Sequence, residues 1–172
     1  MTLVDLFRDK DRKTKEKTET ISKWLLDGSL ATDELCVFAE NSKDSVKATC
    51  IEALEYATKI NPNIADENVF SFVSKTLTDT APRVKWESAR VIGNTAHLFP
   101  EILATAIKNL LINSRYDGTV VRWSAAYALG EILKLKTKHH SMLLKEVEKM
   151  VHEEEKNSIR KIYVEAMKNI YK

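Results

Sequence analysis

Apolar residues return along this chain on two scales. The longer one is a repeat: the aliphatic-basic pairs Val46-Lys47, Val84-Lys85, Val121-Arg122 and Ile159-Arg160 stand 38, 37 and 38 residues apart. The shorter one is helical. After Val121 the apolar residues Ala125, Ala128, Leu129 and Ile132 fall at i+4, i+7, i+8 and i+11, the single buried stripe of an amphipathic helix. A second apolar helix is predicted ahead of it in each copy, through Leu35 and Phe38, Phe70 and Phe72, Ile107 and Leu110, and Leu143 and Val147. The unit is a helix pair, and four of them fill residues 30–172, divided at about 30–61, 62–98, 99–136 and 137–172.

Turn residues support the division. Asn61-Pro62 ends one helix, Asp66 is placed to cap the next, and Pro82 and Pro100 suit first-turn positions, where a missing N–H costs nothing. Tyr116-Asp117-Gly118 and Asn157-Ser158 read as turns inside the third and fourth copies. Residues 1–29 lie outside the period. Asp9–Lys17 mixes charges of both signs and is expected to be solvated and partly mobile, while Ile21, Trp24 and Leu25 form a short stripe suited to capping the open end of an array.

The run Asp117-Gly-Thr-Val-Val-Arg-Trp-Ser-Ala-Ala-Tyr-Ala-Leu-Gly-Glu-Ile-Leu133 resembles the second helix of a HEAT repeat, with its Asp, Val-Arg, paired alanines and Leu-Gly. The second copy keeps Val84-Lys85 and Gly93, and the first and fourth keep the aliphatic-basic pair and one alanine, Ala53 or Ala166. The resemblance implies an all-α fold, a right-handed α-α superhelix (α-solenoid) of about four HEAT-like pairs behind an N-terminal capping segment. Families of this kind serve as scaffolds for many partners and, in one branch, as alkylpurine DNA glycosylases, so the fold does not by itself name a function.

Composition changes this picture little. Four Gly and three Pro among 172 residues give few turns from which to build an all-β fold, and a net charge of +2 provides no global field toward nucleic acid or membrane. Two cysteines are too few for a disulfide scaffold, and Arg8, Asp9 and Lys10 follow the first apolar residues too soon for a secretory leader, so a cytoplasmic location is expected. No stretch is apolar enough to predict a membrane span.

Catalytic signatures are missing from the sequence: it has no P-loop, no Gly-x-Ser-x-Gly elbow, no His-Glu-x-x-His and no Cys-x-x-Cys. His139 and His140 are adjacent and would point about 100° apart on a helix, unlike metal ligands at i, i+4. Cys50 falls on a buried stripe and reads as apolar filler, and Glu153-Glu154-Glu155 reads as a solvated helix end. No catalytic residue, metal or cofactor is expected.

In a helix-pair solenoid the second helix of each pair keeps one narrow strip open, along the concave wall. Opposite the buried stripe of the third copy lie Trp123, Tyr127, Gly130 and Lys134, and the same phase gives Trp86, Arg90, Gly93 and His97 in the second. The first copy contributes Ala48, Glu52, Glu55 and Lys59, and the fourth Lys161, Glu165 and Lys168. Tryptophans at one repeat position, facing away from the core, mark either a binding surface or inter-repeat packing. The basic row Lys47, Lys85, Arg122 and Arg160 sits toward the repeat junctions and is expected to bond acids or carbonyls there. The expected function is thus a non-enzymatic scaffold binding a protein or peptide, with Trp86, Arg90, Trp123, Tyr127, Lys134 and Glu52 as concave contacts. The alternative is a nucleic-acid-binding protein resembling the HEAT-type glycosylases, with Trp86, Trp123, Glu52 or Glu55, and Arg90 in the groove.

Overall fold

A computed structural model describes residues 1–170. The elements are α1 (Leu3–Arg8), α2 (Thr14–Asp27), α3 (Thr32–Glu40), α4 (Asp44–Ile60), α5 (Glu67–Thr76), α6 (Pro82–Thr95), α7 (Ala104–Asn113), α8 (Thr119–Lys134), α9 (His140–Glu153) and α10 (Asn157–Ile170). Short 3-10 turns, Pro62–Ile64 and Ala96–Leu98, follow α4 and α6, and no strand is present among the described residues. Val46, Val84, Val121 and Ile159 are each the third residue of their helix, in α4, α6, α8 and α10. The period in the sequence is the period of the structure.

Local chemistry sets the helix ends. Thr2 and Asp5 form a reciprocal capping box on α1, Asp66 accepts the Val69 N–H at 2.9 Å to start α5, and Pro82 occupies the first position of α6. Gly28 closes α2 at φ 79°, the left-handed conformation that costs glycine least. Two expected boundaries move. Pro100 lies in the turn before α7 rather than in its first turn, and Asn157 and Ser158 already belong to α10, so the turn of the fourth pair is Glu154–Lys156.

Helices α4, α6, α8 and α10 stack side by side as an inner row, and α2 lies ahead of α4 in the same row, so α1 and α2 cover the N-terminal end. Helices α3, α5 and α7 follow one another on the outer side. Helix α9 instead rests on α8 and α10, and meets the end of α7 through Arg115, which pairs with Glu146 at 3.7 Å and Glu153 at 3.5 Å. Between the layers Leu54, Val91, Ile92, Leu110 and Leu129 are fully buried, and Phe70 packs on Phe99 with ring centroids 5.0 Å apart. This is an α-solenoid.

The basic row lies at the junctions. Lys47 reaches Asp79 of the next pair at 3.1 Å, and Arg122 grips both carboxylate oxygens of Glu154 at 3.0 and 3.3 Å while donating to the Tyr116 and Asp117 carbonyls. Arg160 donates twice to the Glu154 carbonyl, and Lys85 to the Leu77 carbonyl at 3.4 Å. Glu154, expected at a solvated helix end, is only 7% exposed, its carboxylate enclosed by Arg122 and the Lys156 N–H at this turn. On the outer layer Asn109 and Asn113 of α7 donate to the Ser74 and Leu77 carbonyls at the C-terminal end of α5, a second ladder between pairs.

The candidate site on the inner wall

Trp86 and Arg90 sit one turn apart on α6, and Trp123 and Tyr127 at the matching positions of α8. The two indoles are not a stacked pair. Trp123, 39% exposed, stacks on Tyr127 of its own helix, with centroids 6.1 Å apart and planes at 15°, and the Arg90 guanidinium lies over the Trp123 ring at 5.4 Å. Arg90 Nε donates to Ser124 Oγ at 3.3 Å, which fixes the guanidinium plane against α8. A cation over a part-exposed indole face contributes on the order of 1 kcal/mol.

Trp86 is half-buried, and its indole N–H donates to Glu87 Oε1 at 2.9 Å. Glu87 is 2% exposed, lies 3.9 Å from Arg90 Nη1, and its second oxygen has no partner. Burial pushes its carboxyl up to about 7, with Glu52 and Glu55 adding to the rise and Arg90 and the Trp86 bond opposing it. Glu87 was missed in the sequence, although a signal existed: the equivalent residues Thr49, Ser124 and Ile162 are uncharged. Glu55 also titrates above the usual range, again through burial.

A polar thread continues across three helices. The Tyr127 hydroxyl donates to Asn94 Oδ1 at 2.6 Å, and Asn94 Nδ2 donates to Thr58 Oγ1 at 3.1 Å and to the Glu55 carbonyl at 3.2 Å. Burial pushes the Tyr127 phenol up to about 12, so it stays a donor at neutral pH. The expected concave residues thus divide. Arg90, Trp123 and Tyr127 form one cluster, joined to Trp86 through Glu87. Glu52 is held by Arg83 at 3.0 Å, and Lys134 by Glu131 at 2.9 Å within α8. Arg83 precedes the aliphatic-basic pair of its copy and drew no attention in the sequence.

The strip is narrower than its phase predicts. Ala48 is 1% exposed, because a methyl at the position of the tryptophans lets neighbouring helices close over it. Gly93 and Gly130 are buried as well, one under the Tyr127 ring and the other against Ala166 of α10, so both serve close packing. At the first end of the wall a separate cavity of about 530 Å³ opens between α2 and α4, lined by Glu19, Lys23, Leu26, Glu55, Tyr56 and Ile60.

Cys50 is fully buried and its thiol is pushed up to about 12 by burial, far from a thiolate. Among the described residues no three His, Cys, Asp or Glu side chains gather as a metal site, and no helix is long and apolar enough to cross a membrane.

No family model matches the chain, and no curated protein matches it in sequence. Solved structures do match in shape. The complex of CpcE and CpcF of phycocyanin lyase from Nostoc sp. PCC7120 aligns with a TM-score of 0.73 at 17% identity, over 96% of this chain and 97% of that one. A designed armadillo repeat protein in complex with the peptide (KR)4 aligns at 0.73 and 18%, over 97% and 80%. An engineered protein aligns at 0.70 and 17%, over 98% and 77%. Identities this low speak to fold alone, and the fold they share with this chain is that of a helical-repeat solenoid.

Proposed function

We propose that this chain is a non-enzymatic scaffold that binds a protein or peptide along its inner wall, with Trp86, Arg90, Trp123 and Tyr127 as anchors and Glu52 and Lys134 at the rim. The observation that carries the reading is the Arg90–Trp123–Tyr127 cluster: an indole left 39% exposed although its neighbours hold it in one orientation. Preordered aromatic and arginine side chains lose little entropy on binding and dominate protein interfaces. Two structural neighbours are described in complexes, one of two protein subunits and one with a peptide, which is in keeping with such a use of the fold. On the inner helices Arg83, Lys134 and Lys168 are paired with Glu52, Glu131 and Glu165, which interrupts any continuous cationic track for a polyanion.

The test is selection of binders from a displayed peptide library, followed by titration against Trp86→Ala, Trp123→Ala and the double variant. Anchoring predicts a loss of about 2 kcal/mol or more for at least one single change, with weak salt dependence. Binders indifferent to the double change would place the binding face elsewhere, and DNA affinity that falls steeply with salt in a gel shift would favour the nucleic-acid reading.

A further inference from the structure

Beside the aromatic cluster, where α8 and α10 begin, a pocket of about 210 Å³ is lined by Arg90, Trp123, Lys156, Thr119 and Ser158, with Val120 and Ile159 as its apolar floor. These residues come from three successive helix pairs. The lining holds two cations, two hydroxyls and no carboxylate, whereas several cations of the inner helices are held by acids. Lys47, Arg83, Arg122, Lys134 and Lys168 each have an acidic partner within 3.2 Å. Among the described residues Lys156 pairs with none, and Arg90 has only the 3.9 Å contact to Glu87, its Nε being spent on Ser124. The first turns of α8 and α10 carry no acidic residue either.

We infer that this pocket is an oxyanion subsite, and that it takes the phosphate of a phosphorylated side chain presented by a protein partner. Lys156, which has no acidic partner among the described residues, and Arg90, whose one acidic contact is at 3.9 Å, come from different repeats and match a group carrying roughly −1.5 to −2 charges near pH 7 better than they match a monoanionic carboxylate. The guanidinium can donate to two phosphate oxygens at once, and the Thr119 and Ser158 hydroxyls can donate to the remaining one. Trp123, Val120 and Ile159 supply an apolar wall for the body that carries the phosphate. A two-cation pocket in a wall where Lys134 and Lys168 are paired with Glu131 and Glu165 suits one phosphate on a folded or extended polypeptide, and not a continuous phosphate backbone. The inference deepens the reading of the wall as a partner surface and rests on it for the kind of partner, but the subsite is testable alone.

The experiment is an NMR titration of the 15N-labelled full chain with phenyl phosphate, inorganic phosphate, benzoate and a short DNA duplex. The expected result is saturable movement of the Trp123 indole N–H and the Thr119 and Ser158 amides, tightest for phenyl phosphate among the small probes. Lys156→Gln, at an exposed position with no side-chain bond to lose, should weaken phenyl phosphate at least about fivefold, and Lys108→Gln, an exposed cation on α7, should change it less than about twofold. Arg90→Gln is the second variant, accepted only if its spectrum remains dispersed. Linear, non-saturating shifts, or an unchanged response in Lys156→Gln, overturn the subsite. Benzoate binding more tightly than phenyl phosphate overturns the phosphate assignment, and tighter saturation of the same resonances by DNA overturns the protein partner. The titration reads only the resonances of this pocket, so its failure leaves the tryptophan experiment standing, and failure of the tryptophan experiment leaves the subsite standing.

Discussion

The ring of Tyr127 occupies the space that a side chain at residue 93 would need: a Cβ built on Gly93 would run into three of its ring carbons. The ring cannot swing away freely, because its hydroxyl is bound to Asn94 and its face to Trp123. Gly93→Ala should therefore destabilise the fold by about 1–3 kcal/mol, even though alanine is the better helix former. In the Tyr127→Ala background the same change should cost much less, and a denaturation double-mutant cycle measures the coupling. Equal costs in both backgrounds would mean that the ring moves at no expense.

Glu87 predicts a pH dependence. Its carboxyl is raised from 4.5 to about 7, so the fold prefers the protonated form: the contribution is fully present below about 4.5 and is lost as pH rises through 7. Such a shift is worth on the order of 3 kcal/mol. Glu87→Gln retains an oxygen for the Trp86 N–H and removes the charge, so the variant should gain on the wild type in urea midpoint between about pH 5 and 8. A constant difference across that range would show that Glu87 does not titrate there.

The junction pairs should differ in weight according to burial. Arg122→Ala leaves the Glu154 carboxylate with the Lys156 N–H alone and takes the donor from two carbonyls, in a site where Glu154 is 7% exposed, and should cost on the order of 3 kcal/mol. Lys168→Ala breaks a pair whose side chains are 63% and 67% exposed and should cost under about 0.5 kcal/mol. Chemical denaturation of both variants checks the ratio.

Two residues two positions apart on α8 should likewise separate. Ala125 is fully buried where α8 meets its neighbours, and Ala125→Leu should overpack the junction by about 1–3 kcal/mol. Trp123→Ala should cost under about 2 kcal/mol, against roughly 3–5 for a core aromatic, because its indole is already 39% in solvent. A Trp123→Ala cost above that range would place the indole in the packing of the wall.

The repeat was legible because each pair solves the same burial problem, which puts a β-branched residue at the third position of every inner helix. The basic row was legible for the same reason, since its partners are turn acids and carbonyls that recur with the pair. What could not be read was whatever depends on the distance between neighbouring inner helices. The Tyr127 ring over Gly93, the closure over Ala48 and the Asn94 bonds to α4 all need that spacing, and a helical phase supplies only direction. Lys156 escaped notice differently: it precedes α10, and a strip drawn along helices excludes the turn that leads into one.

The outer layer is continuous from α3 to α7, but α9 joins it through the half-exposed Arg115 pairs rather than by close helix packing. The array is therefore unevenly stiff. A bending load along its length is resisted by two layers over the first pairs and by little more than the inner seam at the last junction, so compliance concentrates between α8 and α10. A bend at that junction would act like the spine of a half-opened book on the mouth between Arg90 and Lys156, since the two residues belong to pairs on either side of it.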